Sequence, residues 1–343
     1  MFNNRVVMLT GGTGSFGKTF IRKTLENYRP KKLIIFSRDE LKQFDLMEKL
    51  PRDKYPIQYV LGDVRDLERL KRTMRDVDYV VHAAAYKHVP AAEYNPFEFI
   101  KTNINGAQNV IEAALDCDVK KVVALSTDKA CNPINLYGAT KLAADKLMVA
   151  ANIYGEGRTK FSVVRYGNVV GSRGSVIPFF MNQARKKVIT ITDPEMTRFW
   201  ITLDDAVNMV WHAFQESQGG ELYIPKIPTM AITDLAAVLA PEAKTQIIGI
   251  RPGEKLHEVM VSEDDSRYTY DMDKYYAILP AINDWHADNR WNASGQLVEK
   301  NFRYSSDTNA DRLSRSDLKK LIGDYELKGH ELVSKADLAF YGE

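Results

Sequence analysis

Val6-Val7-Met8-Leu9-Thr10-Gly11-Gly12-Thr13-Gly14-Ser15-Phe16-Gly17 is the stretch that decides the fold. Four apolar residues run into a turn rich in glycine, and the helical pattern Gly17–Tyr28 follows at once. Glycines at such a turn let the backbone approach a pyrophosphate, and the helix behind them offers N–H donors and the positive end of its dipole. Standing alone, the same turn is compatible with no ligand, so its neighbours matter.

Five more short apolar runs follow: Lys32–Phe36, Ile57–Leu61, Tyr79–His82, Val122–Ser126 and Phe161–Tyr166. Near-continuous apolar runs fit strands buried on both faces of a parallel sheet. Their spacing leaves room for a crossover helix each time, and Asn103–Cys117 and Tyr137–Ile153 carry helical periodicity. The expected class is α/β, a Rossmann-like doubly wound parallel sheet with a smaller, discontinuous substrate-binding lobe. After Tyr166 the alternation degrades among Gly167, Gly171, Gly174, Pro178 and Pro194. An amphipathic helix, Leu203–Gln218, is expected to stop at Gly219–Gly220, and a strand at Glu221–Ile224 to rejoin the main sheet. Pro225 and Pro228 then lead out to a strand at Gln246–Arg251 and a helix from Pro252. This divides the chain into a nucleotide domain (1–170 and 201–225), a substrate lobe (171–200 and 226–325) and a charged tail (326–343) expected to hang off the fold.

The 343 residues carry 47 Lys+Arg against 45 Asp+Glu, a net +2. That balance argues against a general nucleic-acid binder and a polybasic membrane anchor. No apolar stretch reaches the roughly 18 residues of a membrane span, and the start is too charged for a signal peptide. With only Cys117 and Cys131, a reducing, cytoplasmic setting is expected. The six histidines lack metal-ligand spacing, so no metal is expected. His88 and Cys131 read as packing or substrate-adjacent residues, and the sequon Asn292-Ala293-Ser294 has no meaning in that compartment.

The end of the second strand selects the dinucleotide. An acidic side chain there accepts from ribose hydroxyls, whereas cations suit a 2′-phosphate. Ser37, Arg38 and Lys42 form a phosphate-sized donor set, which favours NADP, with Asp39 arguing for NAD. Asp63-Val64 follows the third strand, either beside the adenine or as a simple Gly-Asp turn. Further on, Ser126-Thr127-Asp128-Lys129 ends the fifth strand and Tyr137-Gly138-Ala139-Thr140-Lys141 opens a helix. Tyr137 and Lys141 share a helix face, and an ammonium beside a phenol lowers its pKa from about 10 toward neutrality. Such a base takes a hydroxyl proton while hydride leaves the same carbon; a chance surface pair is the bland alternative.

With Gly11-x-x-Gly14-x-x-Gly17 and Tyr137-x-x-x-Lys141 in place, the chain resembles the extended short-chain dehydrogenase/reductases. Among these it is similar to the nucleotide-sugar 4,6-dehydratases, above all the inverting UDP-N-acetylglucosamine 4,6-dehydratases of the pseudaminic acid type. The carrying segments are Thr10–Gly17, Ser37–Gln43, Gly62–Leu67, Lys87–Pro96, Leu125–Lys141, Val164–Val176, Met196–Thr202 and Ile248–Met260, spread over about residues 5–320. Retaining dehydratases have Thr-Asp-Glu where this chain has Thr127-Asp128-Lys129, a departure that bears on the chemistry.

The resemblance implies NADP held by Gly11, Thr13, Gly14, Ser15, Phe16, Gly17, Ser37, Arg38, Lys42, Asp63, Val64, Ala83, Lys87, Asn103, Tyr137 and Lys141. For UDP-N-acetylglucosamine it implies Lys87, Thr127, Asn168, Arg173, Ser175, Val176, Thr197, Arg198, Arg251 and Glu254. The implied cycle oxidises C4, with Tyr137 taking the hydroxyl proton as NADP takes the hydride. Water is then eliminated across C5–C6, with Asp128 as acid and Lys129 as base, and hydride returns to C6. Both groups need shifted pKa values: Asp128 upward from about 3.9, Lys129 downward from about 10.4. Reprotonation of C5 from the opposite face, by Tyr137, gives UDP-2-acetamido-2,6-dideoxy-L-arabino-hex-4-ulose. A C4-epimerase or 4-reductase on the same scaffold would need Tyr137 and Lys141 but no Asp-Lys pair. A non-catalytic NADP-binding sensor would be expected to lack the tyrosine or the acid. The resemblance also implies a homo-oligomer, a hexamer, and leaves the pathway open between pseudaminic acid, capsule and O-antigen.

Overall fold

The computed structural model describes residues 1–172, 174–281, 291, 294–328 and 331–342. The first half alternates strand and helix. Its strands are β1 (Val6–Thr10), β2 (Lys32–Ser37), β3 (Ile57–Leu61), β4 (Tyr79–His82), β5 (Lys121–Thr127) and β6 (Lys160–Tyr166). Its helices are α1 (Ser15–Asn27), α2 (Glu40–Lys49), α3 (Leu67–Met74), α4 (Val89–Tyr94), α5 (Pro96–Phe99), α6 (Gly106–Asp116) and α7 (Leu136–Tyr154). Short polar residues start them: Asp39, Asp66 and Asn135 accept backbone N–H bonds at the heads of α2, α3 and α7.

There follow β7 (Asn168–Val169), α8 (Val176–Ala184), β8 (Val188–Ile191), β9 (Thr197–Ile201), α9 (Leu203–Glu216), β10 (Leu222–Pro225), β11 (Thr229–Ala231), α10 (Ile232–Leu239) and β12 (Lys244–Ile247). The main sheet runs β3-β2-β1-β4-β5-β6-β10, all parallel, and β10 rejoins it beside β6. Antiparallel strands Tyr275–Ile278, Thr269–Asp271 and Gln296–Leu297 extend that edge. This is the Rossmann-like doubly wound sheet. Strand order reverses between β1 and β4, and the crevice at their carboxyl ends is where such sheets bind ligands.

Every residue of β1 is buried, and Phe20, Phe36, Phe161 and Tyr223 pack on the sheet's two faces. A second core gathers Val170, Ile177, Phe180, Trp200, Met230 and Leu235, so α8, β8, β11 and α10 have a centre of their own, while α9 and β10 pack on the main one. We propose that the substrate lobe is built around this second core. Met260, Tyr270 and Tyr304 pack instead on the main core.

Several expectations need correction. The tail does not hang free. Residues Tyr325–Lys328 and Glu331–Ser334 form a hairpin, and the helix Lys335–Tyr341 packs on α1. Asp337 accepts from Arg22 Nε (2.7 Å) and Thr19 Oγ1 (2.8 Å), and Leu332 is buried in the second core. Glu331 and Asp337 are partners for α1, while Glu326, Lys328 and Lys335 stay exposed. No helix follows Pro252; residues 251–258 are turns and irregular backbone. The strand expected at Gln246–Arg251 lies earlier, at β12. Helix α9 ends at Ser217, in extended backbone, before Gly219 and Gly220. A π-helical turn, Ile100–Asn105, precedes α6.

Candidate active site

The turn after β1 needs its glycines. Gly11 has φ +70°, and a Cβ there would sit 2.9 Å from the Ala84 backbone; at Gly17 it would run into the Gly12 carbonyl. The N-cap of α1, Gly14, contributes no side-chain bond, leaving that helix end available to an anion. Thr10 Oγ1 ties the turn to the exit of β4, bonding Ala83 N (3.2 Å), Ala84 N (3.3 Å) and His82 Nδ1 (2.9 Å). Burial, reinforced by Lys141, pushes His82 down to about 3, so the imidazole is neutral. Thr13 Oγ1 meets Ser37 Oγ at 2.9 Å, Ser15 Oγ donates to Glu331 (2.6 Å), and Phe16 stacks on Phe20.

Beyond β2, Asp39 caps α2 and pairs with Lys42 Nζ. Arg38 lies 4.5 Å over the Tyr86 ring and 3.7 Å from Asp63. Arg65, held by Glu98 (2.7 Å) and Thr102 (2.7 Å), faces the same ring, and Val64 is buried beside it. Tyr86 was not singled out from sequence; only its place just after β4 could have flagged it. Asn103 is buried, and its amide is engaged by Tyr86 N, Tyr86 O and Thr140 Oγ1 at 2.9–3.0 Å. It anchors the loop after β4 and does not face the ligand crevice. Lys87 lies exposed on that loop, in the crevice wall.

At the end of β5, Thr127 begins a single 3-10 turn, Asp128–Ala130. Thr127 Oγ1 donates to Asp128 Oδ1 (2.9 Å), and Lys129 Nζ donates to the same oxygen (3.0 Å). Asp128 Oδ2 is buried without a hydrogen-bond partner. Tyr137 and Lys141 share the inner face of α7, and the Tyr137 hydroxyl is hydrogen-bonded to Thr127. Burial pushes this phenol up to about 12, against the pull of Lys129 and Thr127. Lys141 Nζ donates a hydrogen bond to Leu125 O (2.7 Å), and its pKa is lowered by burial, with Asp145 opposing. The expected lowering of Tyr137 by Lys141 is therefore absent here: the ammonium is spent on a carbonyl and desolvation dominates.

Lys129 reverses an expectation more sharply. Burial pulls its pKa down, but Asp128 and a second carboxylate, Glu258, outweigh that and the repulsion of Arg198, so it is raised. Glu258 Oε1 lies 3.2 Å from Lys129 Nζ and 3.8 Å from Arg198 Nε, and Oε2 has no partner. Glu258 stood inside the quoted segment Ile248–Met260 but was not named; nothing local distinguishes it.

On the lobe side, Asn168, Ser175 and Val176 line the crevice, while Arg173 lies outside the described residues. Arg251 and Glu254 face each other at 3.8 Å across its rim. Arg198 also lines the crevice, but its hydrogen bonds and those of Thr197 are made within the protein. Thr197 Oγ1 bonds His257 Nδ1 (2.8 Å) and Ser306 Oγ (2.7 Å), while Arg198 donates to the carbonyls of Thr197, Leu256 and Lys255 at 2.7–2.8 Å. Both fasten the 255–258 segment to β9. The crevice has a volume of about 1210 Å³, against a usual ligand pocket of roughly 300–1,000 Å³, which leaves room for more than one ligand. No cluster of metal-ligating side chains occurs among the described residues.

The family described as polysaccharide biosynthesis protein matches residues 7–280. A UDP-N-acetylglucosamine 4,6-dehydratase (inverting) of Campylobacter jejuni subsp. jejuni serotype O:2 is 57% identical over 334 residues, 95% of this chain and 99% of that protein. A UDP-glucose 4-epimerase of Rickettsia akari is 41% identical over 331 residues, 94% and 96% of the two chains. The solved structure of Pen from Bacillus thuringiensis superposes with a TM-score of 0.86 at 40% identity, covering 94% and 98%.

Proposed function

The chain belongs to the polysaccharide biosynthesis protein family, and from that premise we propose that it is a hydro-lyase, an inverting UDP-N-acetylglucosamine 4,6-dehydratase. One observation carries this reading. Lys129 Nζ lies 3.0 Å from Asp128 Oδ1 beside Tyr137 and Thr127, an acid–base pair that plain C4 epimerisation or reduction does not need. Identity to the Campylobacter jejuni dehydratase supports the same choice over the epimerase relative.

A bound nicotinamide supplies the hydride acceptor for C4 and the donor for C6. The donor-rich turn at Gly11–Gly17 fits its pyrophosphate, and we take the dinucleotide to be NADP. Asp39, the residue favouring NAD, is engaged by Lys42, and Arg38 stacks at the adenosine end where a 2′-phosphate would lie. Asn168, Arg251 and the start of α8 would hold the UDP diphosphate.

Tyr137 takes the C4 hydroxyl proton, its phenolate stabilised by Thr127 and the Lys129 charge. The 4-ketone acidifies C5–H. Lys129, drawn as an ammonium between carboxylates, becomes a base when one proton moves from Nζ to Asp128, which creates the acid in the same act. Lys129 then takes the C5 proton. Asp128 lies behind Thr127, so its proton reaches the departing C6 oxygen through the Thr127 hydroxyl, 2.9 Å away. Tyr137 returns a proton to C5 from the opposite face. We take the enzyme to work in the cytoplasm as a homo-oligomer; both cysteines are free thiols, as a reducing compartment requires.

Incubation with UDP-N-acetylglucosamine in deuterated water, followed by NMR, tests the reading. A 6-deoxy-4-keto sugar with deuterium at C5 and L-arabino configuration is expected. UDP-N-acetylgalactosamine would establish the epimerase instead, and no turnover would leave a binding protein.

A further inference from the structure

Lys129 has two carboxylate partners, and only Asp128 is its neighbour in sequence. Glu258 comes from far along the chain, at the head of the strand Val259–Val261, yet its carboxylate reaches Lys129 Nζ at 3.2 Å. Its backbone is fixed: Glu258 N donates to Ser306 Oγ (2.9 Å), and Ser306 N donates to Glu258 O (2.9 Å). Arg198 is pinned by three carbonyls and turns Nε toward the same Glu258 oxygen. Glu258 is 2% exposed and forms part of the crevice wall, whereas Asp128 lies behind it. A buried carboxylate is costly unless it is paired. Glu258 has its pairing on one oxygen only, and Oε2 is bare.

The proton count gives this arrangement a purpose. Elimination breaks C5–H and C6–O, forms C5=C6, and releases water. The cluster must start with a neutral amine and a protonated Asp128, and end with an ammonium and an ionised Asp128. A positive charge therefore grows on Lys129 Nζ as the C5 proton arrives, while Asp128 is still handing its proton on. Glu258 is the second carboxylate, outside that proton relay, and its Oε1 faces the growing charge from 3.2 Å.

We propose that Glu258 is the positioning residue through which Lys129 acts: it aims Nζ at C5 and pairs the ammonium as it forms. This rests on the dehydratase reading above. The bond also ties the turn after β5 to the head of the strand Val259–Val261, two segments far apart in the chain that both line the crevice.

The test compares wild type, Glu258→Gln and Glu258→Asp as holoenzymes with UDP-N-acetylglucosamine in deuterated water. It follows kcat, KM, C5 deuterium incorporation and the absorbance of reduced nicotinamide. Glu258→Gln keeps the shape and loses the charge; kcat and C5 incorporation should both fall about 100-fold, the scale of removing one preorganised electrostatic partner. KM should move less than about threefold. Reduced nicotinamide should accumulate, because oxidation at C4 precedes the blocked step. Glu258→Asp restores the charge one methylene further away and should recover at least about tenfold of the loss. Wild-type kcat and C5 incorporation in Glu258→Gln would overturn the proposal. So would equal loss in both variants with a raised KM or a lowered melting temperature, the signature of a purely structural role. A wild type that forms no 6-deoxy-4-keto sugar is a different result, and removes the dehydratase reading itself.

Discussion

Asp337→Ala should detach the C-terminal helix and lower the melting temperature by about 4 °C. Asp337 sits with 6% side-chain exposure against Arg22, itself 6% exposed, and accepts from Arg22 Nε (2.7 Å), Thr19 Oγ1 (2.8 Å) and Ser334 Oγ (2.9 Å). A hydrogen bond to a charged group contributes about 1.5–3 kcal/mol. Arg22 does not become an orphan, because Asp204 (2.7 Å) and Glu26 (3.0 Å) still hold its other nitrogens. The loss is then nearer about 3 kcal/mol than the roughly 3–5 kcal/mol that follows stranding a buried charge. Unfolding entropy near about 2.1 cal/mol/K per residue amounts, over this chain, to about 0.7 kcal/mol/K, which converts that loss into about 4 °C. Differential scanning calorimetry measures the shift, and limited proteolysis locates it, with new cleavage expected between the hairpin and Tyr341. Asp337→Asn retains one acceptor oxygen and loses the charge, and should fall between. A melting temperature within 1 °C of wild type, with an unchanged cleavage pattern, would refute the claim that the tail is held by this pair.

Lys129→Ala should abolish C5 deuterium incorporation by about 100-fold or more while C4 oxidation, seen as reduced nicotinamide, proceeds; wild-type wash-out of a C5 label would remove Lys129 as the base. Arg38→Ala should weaken NADP about 10- to 100-fold and NAD less than about threefold, read by fluorescence titration of the reduced cofactors; equal losses would count against a 2′-phosphate site. His82, held down to about 3 by burial, takes up its proton on unfolding, near its ordinary value of about 6.5. Its contribution to stability is complete above that pH and is lost as pH falls toward 3, at up to about 1.4 kcal/mol per pH unit. Denaturant titrations of His82→Gln should show a shallower acid-side slope than wild type; an identical slope would show that His82 is not the group responsible.

The parts legible in the sequence are those whose cause is local. β1 and its turn follow from an apolar run meeting glycines, and α7 from a periodic stretch behind the capping residue Asn135. The pairing of Tyr137 with Lys141 on one face needs only helical geometry. The parts that were missed depend on contacts between distant segments. The charges of residues 326–343 look solvated until Arg22 and Ser15 are brought beside them. Thr197 and Arg198 read as ligand donors until the carbonyls and hydroxyls that occupy them are in place. Lys129 shows why this matters for chemistry. From sequence, the environment to expect for a catalytic lysine is desolvation, which lowers its pKa; folding adds the distant Glu258 to Asp128, and the balance changes sign. A base created by burial alone would be ready before substrate arrives. One held as an ammonium between two carboxylates becomes a base only when Asp128 takes its proton, so acid and base arise together. In the proposed mechanism that coupling would suit an elimination in which C5–H and C6–O must both break.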